Sequence, residues 1–289
     1  MPSVAVIRVA LVVLAIALGG CAQDERGDAR GEAGRGAANA TASPSSTTAD
    51  PGAWAPVAGP LGRCGPQPPR LAHQRYRTFT LRGAGRILPA VAAGHGRTVV
   101  VLVHQTSGSG LCGWLDFAGR IADVPGQTAI AFDLCGYATA DCPSGNTTLA
   151  RQVEQVQLGI DAAVHRFHAR RVVLVGASMG GSLTVHTAAR DRRVDAAVDL
   201  SGPDAWDGAR VHRRAADVRV PLLVVMADDE GPQEVAAARA TAQAAGPGST
   251  FLPAAHGHGY ELLQDAAGDP TPVAERVLAW IAGEAPGRH

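Results

Sequence analysis

The sequence predicts an α/β protein with a mostly parallel central sheet and helices on both faces. Three observations support this prediction: short continuous apolar runs rich in β-branched residues, helical patterns between those runs, and a serine framed by glycines directly after one run. Continuous apolar runs are typical of strands buried on both faces, and strands that alternate with helices form parallel sheets. We therefore expect a ligand site beyond the carboxyl ends of the strands.

Six apolar runs are predicted as strands of this sheet. They cover residues 97–104, 127–133, 171–178, 195–202, 220–228 and 249–255. Segments near Tyr76 and Ile87 are expected to add an antiparallel hairpin at the sheet edge. Helices are predicted at residues 111–123, 147–169, 181–189, 232–245 and 272–281. The helix at 147–169 has the clearest pattern, because its apolar residues recur at steps of three and four and form one stripe.

Residues 1–20 have the layout of a secretory signal peptide, with Arg8 in a short leading region followed by an apolar run. The run is short for a membrane-spanning helix. Its ending, Leu18-Gly19-Gly20-Cys21, resembles the lipobox of bacterial lipoproteins, which implies that Cys21 is lipidated and becomes the new N-terminus. An ordinary cleaved signal is the alternative. We expect an exported lipoprotein anchored to the outer face of the bacterial cell membrane.

Residues 21–55 are rich in Gly, Ala, Ser and Thr and contain almost no large apolar side chain. Such a segment cannot bury enough surface to offset the entropy of ordering, so we expect a disordered tether. Residues 56–289 then form one folded domain with a substantial core. The 26 basic residues, all arginine, balance 26 acidic ones and are scattered, which argues against a nucleic-acid partner. We expect a monomer that acts on a small molecule.

Four cysteines follow Cys21 along the chain: Cys64, Cys112, Cys135 and Cys142. An even number in an exported domain predicts two disulfides. Three pairings are open. A bond between Cys135 and Cys142 would close one loop and leave Cys64 for Cys112. A zinc site is the alternative, but no pair has the close CxxC spacing, so we expect no metal and no cofactor.

The residues Gly176-Ala177-Ser178-Met179-Gly180 match the G-x-S-x-G pattern of a nucleophile elbow. Glycines permit the sharp turn from strand to helix, and the serine lies at its tip. The pattern alone is weak evidence, but here it follows an apolar strand and precedes a helical segment, as the elbow requires. Ser178 is therefore predicted to be a nucleophile, with the first N–H groups of the next helix directed at the same spot.

A serine nucleophile needs a histidine base that is oriented by a carboxylate. In a chain with this elbow, the expected order is serine, acid, histidine. The carboxylates of Asp228, Asp229 and Glu230 follow a predicted strand, and His256 and His258 follow the last one. The order of residues along the chain therefore does not decide which carboxylate is the acid or which histidine is the base.

From residue 97 to 281 the chain resembles an α/β-hydrolase of the dienelactone-hydrolase-like group. The resemblance is carried by "VLVHQTSGSGLCGW", "AFDLCGY", "VGASMGGS", "LSGP", "VPLLVVMADDE" and "HGYELL". It implies an oxyanion hole formed by the backbone N–H of Met179 and that of Thr106 or its neighbour Gln105. His104, which ends a strand before the serine, is expected to shape this oxyanion loop rather than act as the base.

The H-G-x-x-L-L ending of the family matches residues 258–263 and favours His258 over His256. Family spacing from Pro221 favours Glu230 as the acid, whereas residue type favours Asp229, and we leave both open with Asp228 behind them. Gln105 stands where the family usually has glycine, which leaves the shape of the oxyanion loop open.

The segment between residues 202 and 220 is too short for a lid domain, so we expect an open cleft. Trp206, Trp114 and Tyr137 are candidate walls, with a buried structural role as the alternative for each. The predicted activity is hydrolysis of a carboxylic ester or thioester through an acyl-enzyme on Ser178. The alternatives are an inactive surface lipoprotein that binds a ligand, and a metal hydrolase that uses both C-terminal histidines and the acidic cluster.

Overall fold

The computed structural model describes residues 61–107 and 109–284. The predicted signal peptide, the lipidation site Cys21 and the tether lie outside these described residues. Among the described helices, none has both the length and the apolar character needed to cross a membrane.

An eight-stranded sheet forms the centre of the domain. Its strands in chain order are β1 (Arg77–Gly83), β2 (Arg86–Gly94), β3 (Thr98–Val103), β4 (Gln127–Phe132), β5 (Arg171–Ala177), β6 (Ala196–Leu200), β7 (Leu222–Ala227) and β8 (Thr250–Ala254). They lie side by side in the order β1-β2-β4-β3-β5-β6-β7-β8. The pairs β1–β2 and β2–β4 are antiparallel and the other pairs are parallel. The predicted sheet and its edge hairpin are confirmed.

Helices cover both faces of this sheet. They are α1 (Leu115–Asp123), α2 (Leu149–Asp161), α3 (Met179–Ala188), α4 (Val211–Ala215), α5 (Pro232–Ala244) and α6 (Pro272–Ala282). Helices α2 to α5 pack on one core and α1 and α6 on the other. Strand β3 contributes Val101 to the first core and Leu102 to the second, which explains why its sequence is apolar throughout residues 99–103.

Two predicted helices are shorter than their apolar patterns suggested. The pattern at 147–169 forms α2 and then a π-helical turn at Ala162–Arg166, in which the Phe167 N–H bonds to the Ala162 carbonyl at 3.1 Å. The pattern at 111–123 begins with a 3₁₀ turn, Gly110–Trp114, before α1. Apolar periodicity does not distinguish these helical forms because their residue spacings differ by less than one residue per turn.

Both predicted disulfides are present. Cys64 bonds to Cys112, which ties the segment before β1 to the turn before α1. Cys135 bonds to Cys142 and closes the loop after β4. Between β6 and β7 the chain forms only a small hairpin, Ala205–Arg210, and α4, so the predicted absence of a large lid in this segment is confirmed.

Candidate active site

Ser178 occupies a strained turn between β5 and α3. Its backbone has φ +51° and ψ −118°, a region that non-glycine residues rarely adopt. The Ser178 N–H donates to the Leu200 carbonyl at 2.7 Å, which holds the turn against the end of β6. The residue is 8% exposed. The backbone at Ser178 thus forms the sharp strand-to-helix turn that the G-x-S-x-G pattern predicts.

The glycines on either side of Ser178 are required by close backbone approach. A Cβ at Gly176 would overlap the carbonyl of Gly180, and a Cβ at Gly180 would overlap the carbonyl of Val103 at the end of β3. The elbow therefore brings Ser178 close to the loop that follows β3. A larger residue at Gly176 would force β5 and α3 apart, and one at Gly180 would force α3 away from the end of β3.

Helix α3 begins directly after the serine, at Met179. The first N–H groups of a helix have no acceptor inside it. In α3 the N–H groups of Gly181 and Ser182 are taken by the Ser178 carbonyl at 2.8 and 3.2 Å. The N–H of Met179 precedes this pair, and the positive end of the helix dipole lies beside Ser178. This is a position at which negative charge would be stabilised.

One carboxylate of the acidic cluster contacts a histidine. Glu230 Oε1 lies 2.5 Å from His258 Nδ1, and the Glu230 side chain is 21% exposed. Asp228 and Asp229 are exposed, as is His256. In the described ranges these three make no hydrogen bond to the His258 ring. Of the two candidate acids, Asp229 and Glu230, it is therefore Glu230, the residue favoured by family spacing, that contacts the histidine.

The His258 loop packs next to the serine turn. A Cβ at Gly259 would lie 3.4 Å from Ala177 Cβ, which is ordinary van der Waals contact. No hydrogen bond joins Ser178 Oγ to His258 within the part of the chain that the structure describes. Bonds of this type are often long without substrate and shorten in the reacting complex.

His104 is held as a neutral imidazole at the end of β3. Its Nδ1 donates to the Gln105 carbonyl at 2.7 Å, and its Nε2 accepts from the Leu134 N–H at 2.9 Å. Burial lowers the pKa of His104 to about 4. Both ring nitrogens are engaged by the backbone, so this histidine shapes the loop, as the sequence predicted.

Gln105 and Tyr260 connect the loop after β3 to the His258 loop. The Gln105 N–H donates to Tyr260 Oη at 3.1 Å, and the Tyr260 N–H donates to Gln105 Oε1 at 3.3 Å. Thr106, the next residue, is exposed. Of the two oxyanion candidates in this loop, Gln105 thus has its N–H occupied.

A partly buried ion pair that sequence reasoning missed supports the same loop. Arg63 Nη2 bonds to both carboxylate oxygens of Asp133 at 2.7 Å, and Arg63 Nη1 donates to the Ser109 carbonyl at 2.6 Å. Asp133 also accepts from the Leu111 N–H at 2.9 Å. Burial raises the pKa of Asp133, which these bonds counteract. The sequence feature that could have indicated this ion pair is the position of Asp133 directly after the buried strand β4.

Polar groups also surround the Met179 side chain. Its sulfur accepts from Tyr137 Oη and from Gln152 Nε2, each at 3.4 Å, and Gln152 Oε1 accepts from Trp206 Nε1 at 2.9 Å. Tyr137 and Trp206 are half-buried and remain candidate cleft walls. Trp114 is fully buried and packs edge-on against Tyr260, so it has the structural role.

A second buried carboxylate lies beneath the elbow. Asp199 is fully buried in β6 and accepts from the Gly202 N–H at 2.8 Å. Burial raises its pKa to about 7. A Cβ at Gly181 would overlap this carboxylate, so Asp199 packs directly against the first turn of α3.

Within the described ranges, no group of three or more His, Cys, Asp or Glu side chains is arranged to hold a metal ion.

A sheet of this topology with a strained serine turn after its central strand β5 defines the class of α/β-hydrolases. The chain belongs to the dienelactone hydrolase family, whose model matches residues 90–246, more than half of the 289 residues. The matched range contains Ser178 and Glu230 and ends before His258. No curated protein matches the chain significantly in sequence.

Solved structures share this fold at low sequence identity. An esterase from Pyrococcus furiosus is 12% identical with a TM-score of 0.58, covering 77% of this chain and 96% of its own. Est1E from Butyrivibrio proteoclasticus, solved with ferulic acid, is 18% identical with a TM-score of 0.56 and coverage of 71% and 99%. A thioesterase domain from the curacin biosynthetic pathway is 16% identical with a TM-score of 0.55 and coverage of 72% and 99%. At these identities the likeness establishes the fold alone.

Proposed function

We propose that this hydrolase cleaves carboxylic esters through an acyl-enzyme on Ser178. The observation that carries the proposal is the 2.5 Å contact between Glu230 Oε1 and His258 Nδ1, in a loop that packs on Ala177 beside the serine. A carboxylate on one ring nitrogen holds the tautomer in which the other nitrogen can accept a proton from the nucleophile. Membership in a hydrolase family supports the same conclusion.

In this mechanism Ser178 Oγ attacks the ester carbonyl while His258 Nε2 takes its proton. Glu230 stabilises the resulting imidazolium. The tetrahedral intermediate collapses when His258 returns the proton to the departing alcohol, which leaves an acyl group on Ser178. Water activated by the same histidine then attacks the acyl-enzyme and releases the acid. Thioesters fall under the same proposal, because only the leaving group differs.

We propose the N–H groups of Met179 and Thr106 as the oxyanion hole. Met179 begins α3, where the helix dipole favours negative charge. Thr106 is preferred to Gln105 because the Gln105 N–H already donates to Tyr260 Oη at 3.1 Å. Loss of one such donor commonly costs about 3 kcal/mol of transition-state stabilisation.

We also propose that the enzyme is a lipoprotein, anchored through Cys21 to the outer face of the bacterial membrane. The support is the pattern Leu18-Gly19-Gly20-Cys21 after a short apolar run. The composition of the segment between Cys21 and the domain is that of a flexible linker, which would let the catalytic domain act at a distance from the membrane.

The test is turnover of p-nitrophenyl acetate and butyrate by the full chain in detergent, with and without a serine-directed organophosphonate or EDTA. Activity that is lost with the phosphonate and kept with EDTA supports the proposal. Activity lost only with EDTA would indicate a metal hydrolase instead. A folded protein without turnover of either ester or of an acyl thioester would favour the inactive binding protein.

A further inference from the structure

Gln105 and Tyr260 form a reciprocal pair of hydrogen bonds, which we call the Gln105–Tyr260 clasp. The main-chain N–H of each residue donates to the side chain of the other, at 3.1 Å for Gln105 N to Tyr260 Oη and 3.3 Å for Tyr260 N to Gln105 Oε1. The two residues are 155 positions apart in sequence. They join the loop after β3 to the loop that carries His258.

The clasp is enclosed by close packing on both sides. A Cβ at Gly259 would overlap Gln105 Oε1, and a Cβ at Gly113 would overlap the Tyr260 ring. Gly259 also has φ +57°, which favours glycine. The Tyr260 ring packs edge-on against the buried Trp114, with centroids 4.9 Å apart. The tyrosine is therefore held by its ring, its hydroxyl and its backbone, and it can transmit this position to the neighbouring His258.

We infer that Gln105 and Tyr260 are positioning residues, which hold the oxyanion donor of Thr106 at a set distance from the base His258. This inference rests on the proposed function. The serine attack needs the base and the oxyanion donor on opposite sides of one carbonyl, and a displacement of about 1 Å in such a site can cost about a hundredfold in rate. The two loops come from distant parts of the chain, and the clasp joins them by two direct hydrogen bonds.

A second consequence concerns the choice of donor. Because Tyr260 Oη accepts from the Gln105 N–H, that N–H is withheld from the substrate. Tyr260 Oη also lies 3.4 Å from the Gly110 carbonyl, to which it donates. Of the two oxyanion candidates, Gln105 and Thr106, the clasp thus engages the N–H of Gln105 and favours that of Thr106 as the donor.

The inference is tested with Gln105→Met, Tyr260→Phe and their double variant in steady-state turnover of p-nitrophenyl butyrate. Methionine keeps the length of the glutamine but cannot accept from the Tyr260 N–H, and phenylalanine keeps the ring but lacks the hydroxyl. We expect each to lower kcat about tenfold, because a partial displacement of the base or the oxyanion donor should cost less than the roughly hundredfold loss for a full 1 Å displacement. KM should change little, because the clasp acts on the catalytic groups. The double variant should lose less than the product of the single losses.

Two controls separate positioning from stability. Gln105→Glu keeps an acceptor for the Tyr260 N–H and should recover most of the kcat that Gln105→Met loses. Tyr76→Phe removes a buried hydroxyl that donates to the Leu115 carbonyl at 2.9 Å, away from the elbow, and should lower Tm without changing kcat.

Full kcat in a folded Gln105→Met variant would overturn the inference, and so would single losses that simply multiply in the double variant. A kcat loss that Gln105→Glu does not recover would also overturn it. An inactive wild-type chain would instead remove the proposed function, and this inference with it. Active wild-type enzyme with unaffected clasp variants removes only the inference.

Discussion

Glu230 Oε1 lies 2.5 Å from His258 Nδ1, although two aspartates directly precede Glu230 in the chain. The three acidic residues form a single 3₁₀ turn, Asp228–Glu230, after β7. A 3₁₀ turn has three residues per turn, so its successive side chains point in directions about 120° apart. Only one of the three can face the His258 loop, and the longer glutamate side chain is the one that does.

The carboxylate assignment predicts opposite results for two neighbouring isosteric substitutions. Glu230→Gln should lower kcat for p-nitrophenyl butyrate on the order of a thousandfold or more, because the amide no longer stabilises the imidazolium. Asp229→Asn, the matched control, should stay near the wild-type rate, since its side chain is exposed and does not contact the ring. The reverse outcome would return the acid role to Asp229, and two silent variants would point to an acid elsewhere.

Substitution of His258 and of His256 should have different effects on kcat. His258→Ala removes the partner of Glu230 and should cost several orders of magnitude in kcat. His256→Ala should cost little, because His256 is exposed and, among the described residues, makes no hydrogen bond to Glu230. The rates are compared at equal protein concentration after circular dichroism has confirmed folding. Similar losses in both variants would contradict a single base.

Ser178→Ala should abolish ester turnover and leave the domain folded. Alanine retains the Cβ that the strained turn already accommodates, so Tm should remain close to that of the wild type. Residual activity should stay below about one per cent, the range left by a disabled triad. Labelling by a fluorescent organophosphonate gives an independent readout and should disappear with the hydroxyl. A variant that still labels or turns over would place the nucleophile elsewhere.

Buried His186 should make the domain less stable in acid. Both of its ring nitrogens lack a hydrogen-bond partner among the described residues, and burial, with Arg190 and Arg214 nearby, lowers its pKa from 6.5 to about 4. The unfolded chain therefore binds a proton between pH 6.5 and pH 4 that the folded protein does not, and stability is lost as the pH falls through this window.

His186→Leu should raise Tm, and the increase should be larger at pH 5 than at pH 8. Leucine removes both the unpaired polar atoms, which typically cost about 1–3 kcal/mol when buried, and the titration. The exposed His165→Leu serves as the matched control and should leave the pH dependence of Tm unchanged. An equal increase at both pH values would show that His186 does not contribute to the acid loss.

Cys21→Ser should move the protein from the membrane fraction to the soluble exported fraction. The thiol of Cys21 is the proposed lipid acceptor, and the hydroxyl of serine is not a substrate for that modification. Esterase activity should be retained, because the substitution lies far from the elbow in sequence and in a segment with linker composition. Fractionation followed by immunoblotting measures the shift. Unchanged membrane partition would contradict the lipoprotein proposal.

The sequence by itself determined the layered architecture, the serine elbow and the number of disulfides, but it left the pairing of the four cysteines open. These features depend on short-range information: apolar runs that must be buried on both faces, helical periodicity, and glycines where two backbones touch. Gly176 and Gly180 are readable in the sequence because no other residue tolerates such close approach. The order of serine, acidic cluster and histidine could also be predicted from the sequence, because each of them directly follows a predicted strand.

Only the tertiary structure decided which of several equivalent side chains meet. The contact of Glu230 with His258, the clasp of Gln105 with Tyr260 and the bond of Arg63 to Asp133 join residues that are 28, 155 and 70 positions apart. Their contacts depend on the direction in which each side chain leaves its turn and on how the loops pack together. Composition and spacing do not encode those directions. Neighbouring residues of a turn, such as Asp229 and Glu230, can have the same charge and still point to different sides of the cleft.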